Sequence, residues 1–269
     1  MTFDLITFGC SWTLGRGVGY EKGMDVEKYL QIIDEKEICD KYSFRGILSK
    51  KWGCNNINYA CAASSNQRQF RFALEHFKSK PSKKTVVLWA ITSIFRDEIW
   101  YNNKKEYINI LYGSTLNGKN KLDGVDIRER LKSNFDVDNQ LQVLCNQMDH
   151  WNLFFEQLGI ENYWMDTFNH HNYPYVNSRM LFNKKTKRDL CSILVDNHDK
   201  LEYDTKDVRG IVPQYFDYLK SKYMLEKNSR NEAKKMGLVN PFSSHPTKEA
   251  HIKIANFIDE EINLINNKR

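Results

Sequence analysis

Apolar residues recur along this chain with two different periods. Short runs of strand character lie near 3–8 (Phe3, Leu5, Ile6, Phe8), 56–60, 85–91 and 161–166. Between them, near 41–52, 65–79, 139–158 and 247–265, apolar positions repeat every three or four residues, as on one face of a helix. The stretch with Leu141, Leu144, Met148, Trp151, Phe154, Phe155 and Leu158 carries the strongest stripe, which reads as core. Strands alternating with amphipathic helices predict an α/β fold, with a parallel central sheet covered by helices on both faces in three α/β/α layers.

Two stretches interrupt the alternation, near 97–138 and 170–238. The first mixes Trp100, Tyr101, Tyr107 and Tyr112 with Asn, Lys and Gly and reads as a loop-rich lid. In the second, Pro213 to Gly237 reads as a helix with Tyr215, Phe216, Leu219, Tyr223 and Met224. Exposed aromatics beside a cleft suit a flat-faced ligand such as a sugar, although packing of insert on core explains them equally. The whole chain, 1–269, is expected to form a single domain with these two insertions over one edge of the sheet.

Within that frame one position stands out. The first strand delivers Phe8-Gly9-Cys10-Ser11-Trp12-Thr13-Leu14-Gly15 into a turn, so Ser11 falls at the carboxyl end of a strand, where open α/β sheets bind ligands. A serine on a tight strand-to-helix turn presents its oxygen as a nucleophile would; it also reads as an ordinary turn residue and helix cap. At the far end, Ser243-Ser244-His245-Pro246-Thr247 leads into the last helix and leaves His245 in the preceding loop. A serine hydroxyl becomes a useful nucleophile when an imidazole takes its proton, and these two residues are the pair that such chemistry requires.

With these segments in view, the chain resembles the SGNH superfamily of GDSL-type esterases and lipases. Gly9-Cys10-Ser11-Trp12 with Gly15 is similar to that family's first block, with Cys in place of the usual Asp. Asn58-Tyr59-Ala60-Cys61-Ala62-Ala63-Ser64-Ser65-Asn66 is similar to the second block, Val86 to Ser93 to the third, and Ser243-Ser244-His245-Pro246 to the last. The resemblance implies a flavodoxin-like fold, Ser11 as nucleophile and His245 as general base. It implies an oxyanion hole built from the amides of Ser11 and Ala63 with a further donor from Asn66 or Thr92. A backbone donor does not need glycine unless the local φ is positive, so Ala62 or Ala63 can replace the family's usual glycine. Ser64 to Asn66 also reads as the cap of the following helix.

The sequence departs from the family in two places. Thr92 stands where an asparagine is expected, a form similar to the third block of a phage-encoded subgroup. Before the histidine, where the family carries an acid, positions 242 and 243 are Phe and Ser. The imidazole is therefore expected to be oriented by Ser243, by a backbone carbonyl or by Asp166, which ends the strand near 161–166 and reads equally as a turn residue. Trp12 and Arg96 are candidate substrate contacts, Arg96 with Glu98 reading alternatively as an exposed ion pair.

Composition adds exclusions. A net charge of +6 raises the question of a polyanion partner, but the lysines are interspersed with acids and read as solvated surface, so nucleic acid is not expected. The six cysteines have neither disulfide nor zinc spacing and read as reduced thiols. His170-His171 lacks a spaced third ligand, and neither metal nor cofactor is expected. The start of the chain reads as strand and not as leader or membrane span, which places the protein in the cytoplasm of a cell or an infected host. The expected activity is hydrolysis of an acyl-sugar or other small ester; the alternatives are a catalytically weak SGNH-like protein serving carbohydrate binding or assembly, and a polyanion binder.

Overall fold

The computed structural model of the protein describes residues 3–33, 35–79, 81, 83–94, 96–101, 105–111, 121–122, 125–126, 136–167, 179–181, 189–190, 192–195 and 231–266. Four strands, β1 (Asp4–Phe8), β2 (Asn55–Asn58), β3 (Thr85–Ile91) and β8 (Glu161–Asp166), form a parallel sheet in the order β2-β1-β3-β8. Met180 extends it by a parallel bridge to Trp164. The expected three-layer α/β architecture is thus present.

The pleat sorts side chains to two cores. On one face Leu5, Val86, Leu88, Ala90, Tyr163 and Met165 pack with α4 (Phe44–Trp52) and the final helix, α7 (Lys248–Asn266). On the other, Ile6, Phe8, Val87, Trp89, Ile91 and Trp164 pack with α5 (Asn66–His76) and α6 (Val137–Leu158). This second core is largely aromatic. Phe8 stacks on Trp89 with ring centroids 4.5 Å apart, and Trp89 on Trp164 at 4.8 Å. These three are directly opposite one another in the register of β1, β3 and β8.

Several boundaries differ from the sequence expectation. The helix expected near 41–52 is two helices, α3 (Lys36–Tyr42) and α4, because Ser43 takes an extended conformation between them. Two further helices, α1 (Ser11–Leu14) and α2 (Val26–Ile32), lie between β1 and α3. The lid expected from residue 97 onward instead opens with an antiparallel hairpin, β4 (Arg96–Tyr101) and β5 (Glu106–Leu111), followed by a two-rung ladder of β6 (Lys121–Leu122) and β7 (Val125–Asp126). Trp100 and Tyr107 pack edge to face on the hairpin and stay exposed. Of the helix expected over 213–237, residues 231–235 are helical; Tyr112, His170-His171, Cys191 and residues 196–230 lie outside the described residues. Among the described residues no helix is long and apolar enough to cross a membrane.

His251 of α7 is fully buried, and its Nδ1 accepts a hydrogen bond from the Phe44 amide at 3.1 Å. Burial first, then the charges of Arg45 and His245, push its pKa down to about 3 from an ordinary 6.5. Between those values the unfolded chain binds a proton that the native state refuses. Stability present above about pH 6.5 is therefore lost as pH falls, by up to about 1.4 kcal/mol per unit. Urea unfolding at several pH values measures this, and His251→Gln, which keeps an acceptor for the Phe44 amide, should flatten the acid limb. An equally steep limb in the variant would contradict the assignment.

Candidate active site

In the order β2-β1-β3-β8 the chain leaves β1 toward β2 on one side and returns to β3 on the other. The crevice beyond the carboxyl ends of β1 and β3 is the topological switch point, the place where such sheets bind ligands. Ser11 follows β1, Thr92 follows β3 and Asp166 closes β8, so three of the expected site residues are at one edge.

Ser11 is the first residue of α1, 7 % exposed. Gly9 before it is required by contact: a β-carbon there would approach Thr13 Oγ1 to 2.1 Å and the Ala90 β-carbon to 3.0 Å. A four-residue helix has few internal bonds and leaves its last carbonyls unpaired. Arg45, itself buried, satisfies two of them: Nε donates to the Thr13 carbonyl and Nη2 to that of Leu14, both at 3.1 Å. Its charge is compensated by Asp40 at 2.6 Å. This role is not readable from the helical pattern, because an arginine on an amphipathic helix reads as solvent-facing.

The second block lies alongside the first. The Tyr59 amide donates to the Thr7 carbonyl and the Cys61 amide to that of Gly9. Residues 61–64 then form a turn closed by the Ser64 amide on the Cys61 carbonyl, with Ala63 exposed at its third position. At Ala63 φ is +58°, the left-handed region that favours glycine, so an alanine here is held at a conformational cost. The capping expectation holds, since Ser65 accepts from the Arg68 amide at the start of α5.

Asn66 ties the second block to the third. Its Oδ1 accepts from the Thr92 amide at 2.9 Å and its Nδ2 donates to the Thr92 carbonyl at 3.0 Å, while Gln69 Nε2 also donates to Oδ1. One Nδ2 hydrogen remains. Thr92 is fully buried, and its hydroxyl has no hydrogen-bond partner among the described residues.

His245 is held by a loop that one residue organises. Asn240 Oδ1 accepts from the amides of Phe242 and Ser243, its carbonyl accepts from the Ser244 amide, and its own amide donates to the His245 carbonyl at 2.8 Å. These bonds hold Ser244 at a φ of +57°, so a non-glycine strain sits next to the histidine. Asn240 was missed at the sequence level, although the dipeptide Asn240-Pro241 is a turn signal. Gly17, with φ +99°, closes the distance between the two ends of the chain. A β-carbon at 17 would meet the Pro246 carbonyl oxygen at 2.5 Å and the His245 β-carbon at 2.9 Å, so the segment that follows Ser11 and α1 is seated directly on the His245 loop.

The candidates for orienting His245 are placed differently from one another. Ser243 shares a 2.6 Å hydrogen bond with the Tyr29 hydroxyl. Asp166 alternates onto the face of α6, where burial first and then the charges of Asp149 and Asp166 push the Cys145 thiol up to about 11, whereas His245 leads into α7 on the opposite face. The candidate substrate contact Trp12 is 2 % exposed and packs in the core with Phe44 and Leu48, so its ring fills the interior and not an open cleft. Of Arg96 and Glu98, read as lining the cleft or as an exposed pair, the second reading is overturned: the Glu98 side chain is 3 % exposed and takes a two-pronged bond from Arg71, with Nε donating at 2.9 Å. Arg96 is half-buried at the start of β4. Cys10, Cys39, Cys54, Cys61 and Cys145 are free thiols, and no group of metal-ligating side chains is found among the described residues.

No protein-family model matches the chain, and no curated protein does. Among solved structures it is similar to the crystal structure of a member of the lipolytic protein G-D-S-L family from Veillonella parvula DSM 2008, at 13% sequence identity and a TM-score of 0.37, covering 96% of this chain and 97% of that one. At that level the likeness bears on neither substrate nor mechanism.

The left-handed Ala63 yields a direct test. An L-residue there costs about 1–2 kcal/mol, and the extra chain entropy of glycine returns about 0.4–1 kcal/mol of that. Ala63→Gly should therefore stabilise the protein by roughly 0.5–1 kcal/mol, a rise of about 2 °C in Tm by calorimetry. A fall in Tm would mean that the turn is not left-handed at this position.

Proposed function

We propose that the protein is a serine hydrolase of small esters, with Ser11 as nucleophile and His245 as general base and then acid. The observation that carries this reading is the seating of Gly17, from the segment that follows Ser11, against His245 at the switch point of the sheet. In this reaction Ser11 Oγ bonds to the ester carbonyl carbon and its proton passes to the imidazole. The oxyanion would be met by the amides of Ser11 and Ala63, with the remaining Nδ2 hydrogen of Asn66 or the Thr92 hydroxyl as third donor. Collapse breaks the bond to the alcohol, which takes the proton from the imidazolium; water, deprotonated by His245, then releases the acid and restores Ser11. An acyl group on a sugar is the substrate class that the exposed Trp100 would suit, as a flat face for a pyranose, while the Arg71 guanidinium lies over the Tyr107 ring at 4.2 Å.

A second reading, a catalytically weak binding or assembly protein on the same fold, is favoured by one observation. The hydroxyl of Ser243, where the family carries or approaches its acid, is engaged with Tyr29. Losing the acid of such a triad lowers turnover by about four orders of magnitude.

A fluorophosphonate probe separates the two. It should label the protein covalently at Ser11, and labelling should disappear in Ser11→Ala and in His245→Ala. Labelling elsewhere, or none from the folded parent, would favour the second reading. Gly17→Ala supplies a geometric check, because the added methyl forces the His245 loop away: labelling should slow by about tenfold or more, the equivalent of 1.4 kcal/mol at the transition state. A rate unchanged in a folded Gly17→Ala protein would mean that this contact does not position the pair.

A further inference from the structure

Folding gathers lysines that are scattered in the sequence. A cavity of about 870 Å³ opens between the segment 18–24, helices α2 and α3, and the turn 234–241 that precedes the His245 loop. Lys22, Lys28, Lys234, Lys235 and Lys248 line it, from three separate stretches of chain. Glu21 and Glu249 also line it, leaving the cavity with an excess of positive charge. Lys235 pairs with Glu232 at 3.1 Å, and Lys248 sits over the Tyr42 ring at 4.2 Å. Lys22, Lys28 and Lys234 have no carboxylate partner among the described residues.

Such an arrangement is costly without an anion. Like charges within a Debye length of about 10 Å repel, and a concave wall with apolar backing focuses their field. Ile32, Ile38 and Leu238 supply that backing. The first turn of α7, Lys248 and Glu249, also opens on the cavity, adding backbone amides that have no partner within the helix. Lysines act on phosphate as mobile point charges, and the volume suits a small ligand and not a polymer.

We infer that this cavity is a second ligand site, which takes a small molecule bearing a phosphate or diphosphate group. None of Ser11, Ala63, Asn66, Thr92 and His245 lines it, so it is tested separately from the acyl chemistry proposed for Ser11 and His245. Titration calorimetry of the full chain with inorganic pyrophosphate tests it. One-site binding is expected, and the double variant Lys28→Ala, Lys234→Ala should weaken it by about tenfold or more. A control pair on exposed helix positions away from the cavity, Lys50→Ala with Lys253→Ala, should bind as the parent does. Ser11→Ala should also bind as the parent does, whatever the outcome of fluorophosphonate labelling. The inference is overturned if pyrophosphate gives no binding, or if the control pair loses as much as the cavity pair. Binding of an oligonucleotide or heparin without pyrophosphate would likewise overturn it and assign the charge to an extended surface.

Discussion

Phe8, Trp89 and Trp164 stack face to face across three adjacent strands, and everything at the carboxyl edge of the sheet depends on that stack. In a sheet, a one-residue slip sends every side chain to the opposite face. Here such a slip would drive three of the largest rings off their partners at once. Each aromatic pair contributes about 0.5–1.5 kcal/mol beyond its buried area. Tyr59 continues the stack on Phe8 at 5.3 Å, just after β2. The ladder therefore fixes the register one or a few residues before each strand releases its loop, and Ser11, Thr92 and Asp166 inherit positions set by it.

Above the stack, precision comes from buried polar groups. Arg45 completes α1 below Ser11, Asn66 clamps the chain at Thr92, and Asn240 folds the loop that carries His245. Each is nearly buried and each bonds to backbone, Arg45 with Asp40 and Asn66 with Gln69 as side-chain partners besides. A polar group buried this way is costly unless satisfied, so it tolerates few alternative geometries. Of the three left-handed non-glycine residues among those described, Ala63, Lys105 and Ser244, the first and last lie within this braced region. Strain of that kind persists only where the surroundings over-determine the backbone.

The sheet strands and the long helices were legible because their apolar periods are long and clean: β3 is buried at every position, and α6 carries an unbroken stripe. Ser11 and His245 were legible through their place at the ends of such elements. The β4–β5 hairpin was not, because its exposed Trp100 and Tyr107 and its polar residues give no clear two-residue alternation. Arg45, Asn240 and Gly17 escaped for a different reason. Their roles exist only in contacts between segments distant in sequence, such as a guanidinium against a carbonyl 32 positions away. The left-handed turn at Ala63 was hidden because alanine, unlike glycine or asparagine, does not signal such a turn.

The bond from Tyr29 to Ser243 joins residues 214 positions apart, and that from the Phe44 amide to His251 spans 207. A chain emerging from the ribosome makes the Ser11 turn long before the His245 loop. Domains of this size fold largely as units, and long-range parallel pairings form late. Ser11 therefore leaves the ribosome with the His245 loop still unmade, chemically indistinguishable from any other surface hydroxyl. In the proposed hydrolase the reactivity of the pair would be switched on by folding itself, and a copy cut before the His245 loop would be inert by construction.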